Sequence, residues 1–477
     1  MSNHANLVAR ARSQHFVLLT LVGLAGCAGA DDPVVTTSTG AVTATGAREK
    51  VDLLFMVDNS SSMAPAQQKL IHELQSFAAA LEALPGGLPD LHVAVVSSDM
   101  GAPGDVAGPL GCSEFGDMGT FHAAPSGDCA ATGLEPGAMF ISNSGGVANY
   151  TGELSDVLTC IAALGSSGCG FENQLGSVAR ALGADGQPPP AANAGFLRDD
   201  AELAIILLSN EDDCSAPPDT TLFSLNGGAQ SLSNPLGPIA NYRCNRYGHL
   251  CKGANPNALV QPPEEVPADA TGSPPSLTLT ECVSDDGCSG MLTPVQSFVN
   301  GIKALKRDAG QVVVGAIVAP PEPYTVTWVP PVAPPPNAAG QLWPQVMHSC
   351  GPVGGDDVNP AGQQSEDGTF GDPAVRIAQW ARAFGDDGFV SSICDPSYGA
   401  PMQQFASLIA SHLQPSGVPT PAPTGPLATS ATCAGPTGHP LHKVGCSVAA
   451  TGQPRWFAIA LAGLGLVMVR ARRRGRR

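Results

Sequence analysis

Aromatic residues are scarce in this chain, basic residues are scarcer still in its body, and no apolar run of that body is long enough to span a membrane. Phe, Trp and Tyr make up 5% of the 477 residues, whereas Gly (56) and Pro (44) supply about one residue in five. Such a chain carries much loop around a modest core. Lys and Arg number 23 against 41 Asp and Glu. Two of the arginines sit in residues 1–26 and seven in 451–477, so residues 27–450 hold 14 basic and 41 acidic groups, a net charge near −27. That field repels nucleic acid and anionic headgroups, suits cations, and excludes nucleic-acid binding. Catalytic signatures are missing too: there is no GxSxG elbow, P-loop, GxGxxG or HExxH, and no CxxC pair for zinc. The acid pairs Asp356/Asp357 and Asp386/Asp387 lie in Gly-rich loops, where they read as solvated turn residues rather than as paired catalytic acids. The chain reads as a non-enzyme.

What is present begins with an export signal. Arg10 and Arg12 precede the apolar run Phe16–Gly26, the n- and h-regions of a leader spanning 1–26. The run closes in Leu24-Ala-Gly-Cys27, which resembles the bacterial lipobox, whose cysteine is acylated and becomes the first mature residue. Residues 27–49 are polar and read as a flexible tether. At the other end, a Pro/Thr-rich spacer (414–446) leads to Trp456–Val469, fourteen residues that fall short of the roughly 20 a spanning helix needs. With Cys446 just upstream and an Arg-rich end, residues 447–477 resemble a myxobacterial-type C-terminal sorting tail, which is removed on delivery to the surface. A short permanent membrane anchor is the other reading. Both ends thus place the protein in the cell envelope, at the outer membrane or cell surface.

Cysteine usage agrees with an oxidising destination. Setting aside Cys27 and Cys446 leaves twelve of the 14 cysteines, an even number. Cys112/Cys129, Cys160/Cys169, Cys244/Cys251 and Cys282/Cys288 are close enough to close local loops. Cys214, Cys350, Cys394 and Cys433 then remain for longer bridges. Spacing does not fix the connectivity.

Between the ends, strand and helix patterns alternate. Apolar runs at 51–57, 91–99, 202–209, 311–320 and 389–393 read as strands. Helical periodicity marks 64–84, 151–164 (with Thr151 as N-cap), 172–182, 293–308 (Thr293 as cap, Pro294 first), 372–385 and 400–413. The alternation predicts an α/β fold with a central, mostly parallel sheet flanked by helices. Residues 102–150 and 215–292 break it. They are Gly/Pro/Asp-rich, bear cysteines, and read as long disulfide-bearing insertions outside the sheet.

The first strand ends in Asp58-Asn-Ser-Ser-Ser-Met63. An open α/β sheet places its ligands at the carboxyl ends of its strands, and the alternating Asp58, Ser60 and Ser62 can aim three hard oxygens at one point. In this context the DxSxS pattern resembles the metal-ion-dependent adhesion site of von Willebrand factor type A domains, over roughly residues 50–413. The cysteine-bearing stretches 168–175, 208–215 and 244–251 add a resemblance to secreted myxobacterial type A proteins. The resemblance implies a Rossmann-like fold and a bound Mg²⁺ or Mn²⁺, with Ca²⁺ as an alternative. It also implies an open coordination position filled by the carboxylate of a partner protein. In that family the shell is completed by a threonine from a second loop and an aspartate after a later strand. Here Ser166, Ser167 or Glu172 stands in the second loop, and Asn210 stands at the aspartate's place. Asn210 is favoured by position and Asp212 by charge. The function implied is cation-dependent protein binding or adhesion, set against a structural envelope component with a metal-free site and, more remotely, a secreted hydrolase.

Intact-mass measurement of the exported protein is expected to show residues 1–26 removed and a lipid on Cys27. A chain that retains Arg10 and Arg12 would overturn the lipobox reading.

Overall fold

The computed structural model describes residues 50–413 apart from 85, 103–111, 126–128, 130, 225–233, 235, 238–241, 254 and 331–339. The leader with Cys27, the tether, the spacer, Cys433, Cys446 and Trp456–Val469 lie outside the described residues. Among the described residues no helix is long and apolar enough to cross a membrane.

In chain order the elements are β1 (Lys50–Val57), α1 (Ala64–Glu82), β2 (Asp90–Ser97), β3 (Ile141–Ser144), β4 (Val147–Ala148), α2 (Leu154–Ala162) and α3 (Gln174–Leu182). Then come β5 (Glu202–Leu208), α4 (Tyr242–Gly248), β6 (His249–Lys252), β7 (Leu259–Val260), β8 (Ser276–Ser284), α5 (Val295–Ala304), β9 (Val312–Val318) and β10 (Tyr324–Val329). The chain continues with β11 (Trp343–Val346), β12 (His348–Pro352), β13 (Val358–Ser365), α6 (Val375–Arg382), β14 (Gly388–Ser392) and α7 (Gly399–Leu413).

Strands β1, β2, β5 and β9 are buried along nearly their whole length, the signature of a parallel sheet covered on both faces. The seven-stranded order is β14-β9-β5-β1-β2-β3-β4, parallel from β14 to β2 and antiparallel beyond it. Period-two alternation divides the core. Leu53, Phe55 and Val57 face α1, α2 and α7, while Leu54 and Met56 face α3, α5 and α6. Phe77 of α1 meets Phe55 edge-on at 5.8 Å and stacks against Phe405 of α7 at 6.2 Å, so one aromatic cluster joins the sheet to two helices. This is the mixed α/β architecture expected, with several disulfides holding the excursions.

The excursions differ from expectation in three respects. The first insertion does not lie wholly outside the sheet. Its last residues form β3 and β4, a hairpin turned by Gly145 and Gly146 at φ 60° and 83°, which covers the edge that β2 would otherwise expose. The second builds most of a separate antiparallel sheet, β11-β10-β8-β6-β7, to which residues after 292 contribute β10 and β11. The close cysteine pairs are not bridged to each other. Between described residues the bonds include Cys112–Cys169, Cys129–Cys160, Cys214–Cys244, Cys251–Cys282 and Cys350–Cys394. Three of them tie an insertion to the core, Cys251–Cys282 joins β6 to β8 within the second insertion, and Cys350–Cys394 joins β12 to the loop after β14. Helix starts shift as well: α2 begins after Glu153 with no side-chain cap, so Thr151 is not its N-cap, and Pro294, not Thr293, precedes α5.

At the amino ends of the strands, charge is paired. Asp52 of β1 is fully buried and accepts Arg198 Nε at 2.7 Å, with Lys306 Nζ at 3.4 Å. Arg198 also donates to Asp90 at 2.5 Å and to the carbonyl of Val51 at 2.9 Å. Nearby, α7 is fastened by His412, whose Nδ1 lies 2.7 Å from Glu202 and whose Nε2 lies 3.0 Å from Asp387. Burial disfavours the imidazolium, but the two carboxylates outweigh it and push His412 up to about 9.

Because that value lies above the roughly 6.5 of an unfolded histidine, this contribution is complete below pH ~6.5 and is lost as pH rises through 9. Discounted for the partial exposure of Asp387, the loss is on the order of 2 kcal/mol. Urea unfolding across this window should show the decline, and Asp387→Asn should flatten it.

Candidate metal centre

At the opposite, carboxyl ends of the strands, the buried carboxyl of Asp58 has no cation paired to it among the described residues. The chain runs from β1 to β2 on one side and then crosses to β5 on the other, so the loop after β1 sits where the sheet reverses its winding. Asp58 opens that loop, its amide still in ladder with the carbonyl of Leu208 at 2.9 Å. Its side chain is fully buried. Oδ1 accepts the amide of Ser60 at 2.8 Å and the hydroxyl of Ser98 at 2.9 Å, and Oδ2 accepts the hydroxyl of Ser209 at 2.6 Å. Burial raises this carboxyl above its ordinary range, and these hydrogen bonds pull it only part of the way back.

Ser60 and Ser62 sit beside it as the alternation requires. Ser62 Oγ lies 3.0–3.1 Å from the side-chain amide of Asn210. Ser60 Oγ is buried beside the Asp58 carboxyl and makes no well-aligned hydrogen bond. Asp58, Ser60, Ser62 and Asn210 are therefore brought to one place from the ends of β1 and β5. Asp212 is not brought there. Its Oδ2 lies 2.7 Å from His249 Nε2 and accepts the amide of Arg376 at 2.8 Å, while Oδ1 accepts the amide of Ile377 at 3.1 Å. Both oxygens are spent on the start of α6 and on the second sheet, which holds the carboxyl below its ordinary range despite burial. Asp212, expected as a ligand for its charge, instead joins the second sheet and α6 to the core. Asp213 is likewise structural, paired with the buried Arg376 at 2.9 Å.

A second loop, residues 165–173, closes over the first. The amide of Gly168 donates to the carbonyl of Asn59 at 2.7 Å, and a Cβ on Gly168 would collide with the Asn59 side chain. Gln67 of α1 donates from Nε2 to the carbonyls of Asp58 and Gly165, both at 2.7 Å, and accepts the Gly165 amide at 3.0 Å. Cys112–Cys169 bonds the loop to the first insertion. Among the three second-loop candidates, Glu172 is the buried one, at 2% exposure. Its carbonyl accepts the Cys214 amide at 2.8 Å, and the next amide, Asn173, donates to Ser98 at 2.9 Å, so its backbone is held from both sides.

Two further carboxyl groups, Glu172 and Glu211, lie within electrostatic reach of Asp58. Burial, then repulsion from Glu211 and Asp58, raises Glu172 well above the ordinary range. Burial and the negative charges of Asp372 and Asp58 push Glu211 up to about 8. Glu172 Oε1 has no hydrogen-bond partner.

These residues fit a hard divalent cation. Every donor is oxygen, Ser60 Oγ and Glu172 Oε1 are buried without a well-aligned hydrogen bond, and buried acidic groups lie within electrostatic reach of one another. Among the described residues no three His, Cys, Asp or Glu side chains converge as a ready-made cage. The set is therefore a mixed one of hydroxyl, amide and carboxyl groups, which suits Mg²⁺, Mn²⁺ or Ca²⁺ rather than zinc.

Sequence periodicity missed Gln67, Ser98 and Ser209. Ser98 and Ser209 carry a usable signal, since each follows directly on a buried parallel strand, as Asp58 does. Gln67 carries none; it is a polar residue on the buried face of an amphipathic helix.

No protein-family model matches the sequence, and no curated protein matches it. Solved structures with some likeness include the pilus adhesin SpaC of Lactobacillus rhamnosus GG in its open conformation, at 11% identity and TM-score 0.29, covering 76% of this chain and 30% of that one. The vWF domain of the type V pili tip protein Mfa5 of Porphyromonas gingivalis has 14% identity and TM-score 0.31, over 78% of this chain and 98% of that one. The pilus adhesin RrgA of Streptococcus pneumoniae has 11% identity and TM-score 0.23, over 57% and 39%. The chain thus spans about a third of SpaC and of RrgA. At scores this low, any functional reading rests on this chain's own residues.

Gly168→Ala should cost about 1–3 kcal/mol through the clash with Asn59. Replacing Cys112 and Cys169 together by Ser should cost about 4 kcal/mol, because the bridge closes 57 residues. Urea unfolding of each variant checks both values.

Proposed function

We propose that this chain is an exported, surface-anchored type A module that binds another protein through a divalent cation, Mg²⁺ or Mn²⁺, with Ca²⁺ as the alternative. One observation carries the reading. Asp58, Ser60, Ser62 and Asn210 meet at the carboxyl ends of β1 and β5, and Ser60 Oγ is left buried without a well-aligned hydrogen bond. A bound cation supplies one open coordination position, which a carboxylate on the partner fills. The chain's own residues do the rest. Ser60 and Ser62 offer hydroxyl oxygens, Asn210 offers a neutral one, and Asp58 offers charge. Three of Asp58's roughly four lone-pair directions already accept protein donors, so it keeps one for the ion or its water. Gln67 and Gly168 fix the two loops against each other, so little ordering is left for the moment of binding. No group in the set is poised as a nucleophile, and the reading is non-enzymatic.

Export is supported by the leader and by the disulfides. Anchoring is assigned to lipid on Cys27, to the tail around Cys446, or to both. A structural envelope component with a metal-free site is the second reading, and Asn210 favours it because a neutral ligand weakens hard-cation affinity.

Calorimetry of the full chain with Mg²⁺ and Mn²⁺, and capture from envelope extracts with and without EDTA, test the proposal. Asp58→Ala is expected to abolish the cation response and the EDTA-sensitive part of the capture. Capture that ignores both EDTA and Asp58→Ala would replace adhesion with the structural reading.

A further inference from the structure

The two ends of the central sheet treat buried acid differently. At the amino ends, Asp52 is met by Arg198 and Lys306. At the carboxyl ends, no ion pair among the described residues reaches Asp58 or Glu172. The cations packed at this end are spent on other groups. Lys69 donates to the carbonyls of Ile393 and Asp395 at 2.8 and 2.9 Å and pairs with Asp367, Arg376 pairs with Asp213, and His348 pairs with Asp372 at 2.6 Å.

A buried carboxyl without a cation costs several kcal/mol unless something neutralises it. Glu172 is not an accident of a loose loop. Gly168, Cys169, Asn173 and Cys214 lock its backbone in place by hydrogen bonds and a disulfide, and its Oε1 is buried and unpartnered. A side-chain hydrogen bond joins Glu172 to Glu211, Asp58 is a further electrostatic neighbour, and its loop lies against the DxSxS loop, which leaves Oε1 as its unpartnered oxygen. Meanwhile Asn210 withholds the charge that a carboxylate would supply at the end of β5.

We propose that Glu172 is the second charged ligand of this site, supplying through its unpartnered Oε1 the negative charge that Asn210 lacks. The inference rests on the divalent-cation reading above and adds to it where the charge comes from. It makes the second loop, not the loop after β5, the source of charge. Hard-cation affinity then depends on Glu172 and is restored from either position.

The test is Mn²⁺ binding to the full chain, followed by calorimetry and by the electron paramagnetic resonance signal of free Mn²⁺. The variants are Asp58→Ala, Glu172→Gln, Asn210→Asp and the double variant Glu172→Gln/Asn210→Asp. Glu172→Gln is expected to weaken Mn²⁺ binding by about tenfold or more, and the double variant to recover most of that loss. Unfolding in EDTA serves as the folding control, where Glu172→Gln should be no less stable than the unsubstituted chain, since it removes a buried carboxyl. If Glu172→Gln does not fold, Mn²⁺ anomalous scattering from crystals of the unsubstituted chain decides: the peak is expected in contact with Glu172, and a peak that Glu172 does not touch overturns the assignment. Wild-type affinity in Glu172→Gln, with binding lost in Asp58→Ala, overturns this inference and leaves the cation reading standing. Absence of Mn²⁺ binding to the unsubstituted chain overturns both.

Discussion

A carboxyl group buried at the end of β1, with no basic side chain paired to it among the described residues, is the constraint around which the central sheet is arranged. Asp58 has no exposed surface, and only hydroxyls and one amide answer it. Such a group is tolerable where donors are fixed in place, and the fixing comes from the sheet. Three of those donors stand at the ends of parallel strands or in the loop after them, at Ser60, Ser98 and Ser209. Parallel register with β2 and β5 puts these ends side by side. The sheet is therefore more than a scaffold, because its register is what makes the acid bearable.

The excursions complete the same arrangement from outside. The loop at 165–173 reaches the site only because Gly168 lets two backbones touch and because Gln67 bridges both with one side chain. The second sheet is joined to the core through Asp212, His249 and Arg376, groups that look like site chemistry and instead join layers. Charged groups near a cleft thus divide into those that meet opposite charge, which hold the fold, and those that do not.

Much of this was legible in sequence, and the reasons are local. The core strands and helices announce themselves by apolar periodicity, and Asp58, Ser60 and Ser62 share one short loop. Asn210 stands two residues beyond a buried strand, so its placement also follows from chain order. Asp212 misled because its partners, His249 and the amides of Arg376 and Ile377, lie 37 to 165 residues away and leave no mark nearby. The disulfides were obscure for a related reason: proximity in sequence suggests self-closed loops, whereas here the bridges serve contacts between distant segments. The hairpin of β3 and β4 carried a readable sign in its Gly145-Gly146 turn, overlooked because the surrounding stretch lacks periodicity.

The Cys112–Cys169 bridge gives the site a history as well as a shape. One of its sulfurs lies three residues before Glu172, so the final setting of the second loop waits on a chemical reaction rather than on collapse alone. Sheet and helices can condense in well under a second, whereas sulfur pairing takes seconds to hours. A core that condenses before the bridge forms would hold the second loop less firmly than the finished molecule does. Sulfur pairing, which an oxidising environment permits, then sets when that loop takes its final position.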